Sequence, residues 1–332
     1  MSYKSVVEWL SSQENLSVRY LTARYLTMKK LSKKEMISLR AEMLKWKPLK
    51  NLIALQNKDG SFRSYKKEPP GYATFTALCL MERCGMDIGD EPVSKALAYL
   101  AEHHINNGAL SINTGGSGII PCYLGMVTKS IIKMGGGGEP SVEESICWLT
   151  DHQRFDHKKT RAGGKKKWPF RSVVNYGCWS SVSCYHGVAC AFGAFAAIPL
   201  EHRSRTVNER ILSSLKYLEI HRVYMKSNLE KPIFRHTTEF FLNGNYRRNL
   251  IDVLESIADA DKQLIENVWV RNAVEAVDNL SEDGKVILVK NYPTGLIDPL
   301  PFEEVGKPSR FLTYQWLMVK KKFGLINDKT NN

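Results

Sequence analysis

A signature that recurs at a nearly fixed interval constrains this chain more than any other feature. Leu52-Ile-Ala-Leu-Gln56-Asn-Lys-Asp59-Gly60, Tyr99-Leu-Ala-Glu-His-His104-Ile-Asn-Asn107-Gly108 and Trp148-Leu-Thr-Asp-His-Gln153-Arg-Phe-Asp156-His157 each end a helical pattern, and Gln56, His104 and Gln153 stand 48 and 49 residues apart. A weaker copy ends at Leu280-Ser-Glu-Asp283-Gly284. A period of this length marks stacked helical hairpins, each unable to bury its apolar stripe alone.

The turns inside each period agree. Met86-Asp-Ile-Gly-Asp-Glu-Pro-Val93, Gly135-Gly-Gly-Gly138-Glu-Pro-Ser-Val142 and Ile198-Pro-Leu-Glu-His-Arg-Ser-Arg-Thr-Val207 each close one helix and open the next through Gly, Pro and polar caps. Apolar spacing predicts first helices near 71–84, 120–134, 183–197, 245–258 and 309–322, and second helices near 92–104, 141–153, 206–222 and 264–280. The segment 183–197 is apolar around most of its circumference and rich in Gly and Ala, so it is expected to be buried on all sides. The expected fold is therefore all-α, a single α/α toroid with inner and outer helix rings, rather than an open solenoid. It comprises an N-terminal helical region over 1–50, hairpin repeats over 51–323 and a tail over 324–332.

Composition narrows the function classes. Of 332 residues, 43% are hydrophobic and 24% charged, and no apolar stretch is long enough to cross a bilayer. The opening Met1-Ser-Tyr-Lys-Ser-Val-Val-Glu-Trp-Leu lacks a basic segment followed by an apolar one, so a cytoplasmic location is expected. Seven cysteines in so long a chain fit reduced thiols better than a disulfide framework. The formal charge of +13 favours an anionic partner. Its densest basic run, from His157 to Lys167, reads as a solvated loop. No helix-turn-helix spacing or RNA-binding aromatic motif is present, so nucleic acid is not an expected partner.

The segment from Leu52 to Phe62 resembles the Gln-x-x-Asp-Gly-Ser-Trp/Phe repeat of the terpene cyclase and protein prenyltransferase superfamily. Ser17-Val-Arg-Tyr-Leu, Gly118-Ile-Ile-Pro-Cys-Tyr-Leu-Gly125, Cys184-Tyr-His-Gly-Val and Gly306-Lys-Pro-Ser-Arg-Phe-Leu-Thr313 extend the resemblance to short microbial prenyltransferase-like and squalene-cyclase-like proteins. The resemblance implies an isoprenoid or other hydrophobic small molecule held in the barrel, with a prenyl diphosphate among the expected partners. Two departures stand against cyclase chemistry. The nearest match to Asp-x-Asp-Asp is Asp259-Ala-Asp261-Lys262, read as a solvated turn, and Asp-Asp-x-x-Asp is absent. Two alternatives follow from the same resemblance: a non-catalytic scaffold with a structural zinc, and zinc-dependent thiol alkylation.

Candidate site residues fall into three groups. Register between the first helices places Cys122 near His186, and Cys178 and Cys184 lie just before or at the start of the helix carrying His186, so the four make a candidate zinc site. Cys184 and His186 are two apart, so both ligate one ion only if the helix begins there. Cys79, Cys84, Cys147 and Cys190 read as core. Tyr72, Tyr123, Trp179, Tyr185 and Tyr314 are candidates to line a cavity, and Arg171, Arg247 and Arg248 to meet an anionic head group. His236 and Glu239, at i and i+3, read as a surface pair.

Overall fold

The structure, a computed structural model, describes residues 2–27, 31–64, 68–114, 119–157, 182–242, 244–292, 296 and 302–326. The basic run after His157, together with Arg171, Cys178 and Trp179, lies outside the described residues. The protein is mostly helical, with 59% helix in 13 helices and two small sheets among the described residues. None of the described helices is long and apolar enough to cross a membrane.

Four N-terminal helices, α1 (Tyr3–Leu10), α2 (Leu16–Tyr25), α3 (Lys33–Leu44) and α4 (Lys47–Ile53), precede the repeats. The repeats then run as pairs: α5 (Pro70–Arg83) with α6 (Glu91–His103), α7 (Pro121–Lys133) with α8 (Pro140–His152), α9 (Tyr185–Ala197) with α10 (Arg205–Ile220), and α11 (Leu250–Ala260) with α12 (Val268–Asn279). A last helix, α13 (Arg310–Lys322), follows. Proline opens α5, α7 and α8 and stands second in α6, where its missing N–H costs no helical hydrogen bond.

The expected helices are present with two shifts. The fourth first helix was expected from 245 but starts at Leu250, because the Asn249 side chain caps the Asp252 amide at 3.1 Å and the Asp252 carboxylate returns to the Asn249 amide at 3.1 Å. The fourth second helix starts at Val268 rather than 264, after a short 3-10 turn over Lys262–Glu266. That turn is capped by Asp261, which accepts from the Gln263 amide, while Asp259 pairs with Lys322. The 259–262 segment is thus a capped helix end tied down by one ion pair.

The recurring signature is a helix-terminating hairpin. After α4, Gln56 bridges Phe62; after α6, strands Ile105–Asn106 and Ala109–Leu110 pair antiparallel; after α12, Ser281–Glu282 and Lys285–Val286 do the same. Asn107 with Gly108, and Asp283 with Gly284, have positive φ at both turn positions, the conformation that two-residue hairpins demand and that Asn, Asp and Gly tolerate. The polar residue at the head of the signature holds its own hairpin, and Gln56 also reaches the next repeat. The Gln56 amide donates to the Gly60 carbonyl at 3.1 Å and to the Pro92 carbonyl, at the start of α6, at 2.8 Å. Buried His104 joins the Ser111 carbonyl at 3.0 Å and the Tyr99 hydroxyl at 3.1 Å. The period is therefore a packing device.

Packing orders the first helices. Each of α5, α7, α9, α11 and α13 contacts the next, α13 also contacts α2, and each second helix lies against its own first helix. Every residue from Tyr185 to Ala196 of α9 is buried, as its composition requires. A close approach between α7 and α9 falls at Gly125, where an added Cβ would stand 2.5 Å from the Cys190 carbonyl carbon. Cys79, Cys84 and Cys190 are buried as expected, and burial pushes the Cys79 thiol up to about 11 and the Cys84 thiol up to about 12. Cys147 is exposed, not core, because it lies on the side of α8 turned away from the buried Val142, Ser145, Trp148 and Leu149.

Charges gather where the C-terminal ends of α5, α7 and α13 meet α11. Glu255 of α11 accepts from Lys129 at 2.9 Å and Lys133 at 2.6 Å, both of α7, and lies 4.0 Å from Lys322 of α13. Arg83 of α5 reaches Asp252 at 3.3 Å and Gln315 at 3.0 Å. Cations at helix C-termini are favoured by the helix dipole, and here their partners are carboxylates from a facing helix.

Candidate functional site at the N-terminal helix ends

At the opposite ends of the same helices the groups are aromatic and imidazole. Tyr72, in the first turn of α5, meets Tyr123, in the first turn of α7, edge to face at 5.0 Å. Tyr123 meets Tyr246, just ahead of α11, at 4.9 Å, and Tyr246 meets His186 of α9 at 5.6 Å. A non-helical stretch between α10 and α11 brings the remaining groups: Phe234, His236 on the short 3-10 turn Arg235–Thr237, Glu239 and Phe241.

The centre of the cluster is a histidine pair. His186 Nε2 and His236 Nε2 are 2.8 Å apart, while the ring centroids are 4.8 Å apart and the planes 19° from parallel. The nitrogens therefore lie between the rings, which meet end to end. One Nε2 must carry the hydrogen and the other must be bare, so the contact requires at least one neutral imidazole. Phe234 covers both rings on one face, at 4.8 Å from His186 and 5.1 Å from His236. Tyr185 and Tyr246 close on His186 edgewise.

The surroundings keep both rings neutral. Burial, then His236, Arg248 and Arg247, hold His186 well below the usual histidine range, and burial, then Arg247 and Lys290, lower His236 to about 4 against a pull upward from Glu239. Buried His186 Nδ1 has no hydrogen-bond partner among the described residues. Arg247 lies over the rings of Tyr246 at 5.0 Å and Tyr292 at 4.7 Å. Its guanidinium meets no carboxylate among the described residues, whereas Arg235 is paired with Glu239 at 2.6 Å. Glu239 also accepts from the Tyr292 hydroxyl at 3.4 Å.

Both histidines penalise folding in acid. Their ordinary value is 6.5, and the folded values are lower, so below pH 6.5 the unfolded chain binds protons that the folded chain refuses. Their contribution is intact above pH 6.5 and is lost below it, that of His236 as pH falls towards about 4. Melting temperature is expected to drop across that interval in thermal scans, and His236→Gln is expected to flatten the drop. An unchanged slope in the variant would mean that His236 titrates normally.

The structure divides the residues singled out in the sequence. Tyr72, Tyr123, His186 and Arg247 come together at the N-terminal ends. Tyr185 is adjacent, but its hydroxyl donates to the Val223 carbonyl at 2.9 Å. Arg248 is buried below them and donates from Nε to Cys190 Sγ at 3.1 Å, so it is not a rim group as expected. Tyr314 lies at the other end, in the cavity beside the lysine cluster.

For the zinc set, Cys184 caps α9 with extended backbone and α9 begins at Tyr185, which meets the helix-start condition for Cys184 and His186. Cys122 is buried in the first turn of α7, and Cys178 is outside the described residues. Among the described residues no group of three His, Cys, Asp or Glu side chains is placed to hold a metal ion, and His186 turns its Nε2 to His236. His236 and Glu239 read as a surface pair in the sequence; instead, His236 closes the pair with His186. The legible signal was a run of rings and charges, Phe234-Arg-His-Thr-Thr-Glu-Phe-Phe241, in a stretch without helical period.

Comparison with known proteins finds no matching family model and no matching curated protein. Solved structures that match include two point variants of a glycosidase, each with a TM-score of 0.35, at 10% and 11% identity, over 90% of this chain and 100% of theirs. A further glycosidase variant, in complex with glucose, matches over the same shares at 9% identity with the same TM-score. These neighbours are glycosidases where the sequence resemblance implied terpene cyclases and prenyltransferases, so that resemblance is corrected. The isoprenoid and prenyl-diphosphate reading is withdrawn with it, and the scaffold and thiol-alkylation alternatives drawn from it gain no support. The physical reason is that the Gln56–Phe62 signature encodes a hairpin. A likeness at this TM-score carries no argument about the chemistry of this chain.

Proposed function

We propose that α2, α5, α7, α9, α11 and α13 close into a single α/α toroid whose N-terminal mouth binds a small polar anion and moves a proton at His236. The neighbour order of the helices supports closure, since α13 returns to α2 and Leu21 of α2 stands beside Gly85 at the end of α5. One observation carries the functional reading. The Arg247 guanidinium lies over two tyrosine rings, with no acidic partner among the described residues, beside a neutral histidine pair. A guanidinium fixed this way offers its donors to a carboxylate or phosphate group.

The same charge explains how the site works. With the mouth empty, Arg247 helps keep His236 unprotonated and weakly basic. A bound anion neutralises Arg247, so the His236 value rises towards neutrality, where an imidazole is an effective general base. His186 holds the ring in line through the Nε2 contact, and the aromatic wall excludes water from one face.

Calorimetric titration with inorganic phosphate tests the binding step. Phosphate is expected to bind at one site per chain and to weaken about tenfold or more in Arg247→Gln. Arg205→Gln serves as control, since Arg205 is solvent-exposed and paired only with Glu209. Equal affinity in the Arg247 variant and the control would contradict the reading.

A further inference from the structure

The C-terminal ends of α2, α5 and α7, with one side of α13 and Glu255 of α11, line a cavity of about 490 Å³ that the mouth does not use. That volume is in the range of small-molecule sites. Its apolar wall comes from Leu21, Met86, Met134, Phe311 and Met318, and methionines give such a wall an adaptable surface. Its polar groups divide into those already matched and those still free to donate.

The matched groups are ions in pairs. Glu82 and Glu255 are held by Lys133 at 3.5 and 2.6 Å, and Asp87 by Arg40 at 3.0 Å. Arg83 is taken by Asp252 and Lys322 by Asp259. These charges cancel within the wall, so they neither attract nor repel a ligand strongly.

The free donors are Arg24, Tyr25 and Tyr314. The Arg24 guanidinium has only the Tyr20 hydroxyl, at 2.9 Å, and the faces of Tyr20 and Tyr25 among the described residues. The phenol hydroxyls of Tyr25 and Tyr314 have no hydrogen-bond partner among the described residues, and burial keeps both protonated. Arg24 and Tyr25 stand at the exposed rim and Tyr314 faces the interior.

We propose that this cavity is a second binding site, which takes an amphipathic carboxylate with its head on Arg24 and Tyr25 at the rim and its apolar body among the methionines. A carboxylate accepts from both a guanidinium and a phenol, and no carboxylate of the described wall remains unpaired to oppose it. An apolar body displaces water from the Met and Leu wall. The assignment is independent of the histidine site, which lies at the other ends of the helices.

Octanoate is the probe, with octan-1-ol and octyltrimethylammonium as matched controls, titrated calorimetrically into the full chain. Octanoate is expected to bind at one site per chain, octan-1-ol about tenfold more weakly, and the cation not measurably. Arg24→Gln is expected to bring octanoate down to the affinity of octan-1-ol, Met318→Trp to abolish binding by filling the cavity, and Arg247→Gln to change nothing. Should Met318→Trp fail to melt cooperatively, Arg24→Gln and Tyr25→Phe decide the matter, because both residues are exposed and each is expected to weaken octanoate without disturbing the packing. Absence of octanoate binding, equal affinity for octan-1-ol, or octanoate binding unchanged in Arg24→Gln would overturn the proposal.

Discussion

Glu255→Leu is expected to cost about 3 to 5 kcal/mol of folding stability, the scale for removing one partner of a buried ion cluster. Burial alone would raise the Glu255 carboxyl, but Lys129, Lys133 and Lys322 hold it well below the usual range. Without it, among the described residues Lys129 keeps the Ser256 hydroxyl and Lys133 keeps Glu82 at 3.5 Å. The loss comes from stranded ammonium groups rather than from a strong bond, so the compensating variant has a different outcome. Glu255→Leu combined with Lys129→Met and Lys133→Met is expected to recover most of the loss. Urea unfolding of the three proteins measures both. A cost below about 1 kcal/mol in the single variant would mean that water reaches the cluster.

The same carboxylate sets an acid limit on the fold. Its folded value is depressed, so its contribution is present above its ordinary 4.5 and is lost as pH falls below that value. The histidine pair acts earlier, from pH 6.5 downward. Acid unfolding should thus show two windows, the upper made shallower by His236→Gln, since His186, His104 and His221 are lowered as well.

Gly125→Ala is expected to destabilise by about 1 to 3 kcal/mol or more, although alanine is the better helix former by up to about 1 kcal/mol. The added methyl would stand 2.5 and 2.6 Å from the carbonyl carbon and oxygen of Cys190 and 2.7 Å from the Ala191 amide nitrogen. All three are backbone atoms of a buried helix and cannot swing aside. At Gly138, nothing lies within 4 Å of the added methyl, so Gly138→Ala is expected to be nearly neutral. Differential scanning calorimetry separates the two. A stabilised Gly125→Ala would show that α7 and α9 are not in backbone contact. The spacing matters for the site, because α9 carries His186 and positions Cys190 under Arg248.

The helical architecture was legible because it rests on local chemistry. Period, Pro at helix starts and Asx-Gly at hairpins located the repeat helices to within a few residues, and the two late starts trace to the Asn249–Asp252 capping box and the 3-10 turn before Val268. The site was legible mainly where helices carry it, with Arg247, just ahead of α11, the exception. Helix register pointed to His186, and Tyr72 and Tyr123 stood out as aromatics on first helices. Phe234, His236 and Tyr292 come from connections with no period, and only tertiary packing brings them to α9. Charge at single positions was also hidden from the sequence: adjacent Arg247 and Arg248 read alike, yet one lies over two tyrosines and the other is buried on a thiol. The reading of activity failed because the repeat encodes packing, and packing is shared by chains with different chemistry.

The most direct test of the mouth is nitrogen NMR of the protein labelled at histidine, followed through a pH titration with and without inorganic phosphate. His186 and His236 are expected to stay neutral down to well below 6.5, with one sharing its Nε2 hydrogen with the other, and phosphate is expected to raise the His236 midpoint above its free value of about 4 in wild type but not in Arg247→Gln. A His236 that titrates near 6.5 and does not respond to phosphate would contradict the proposed site.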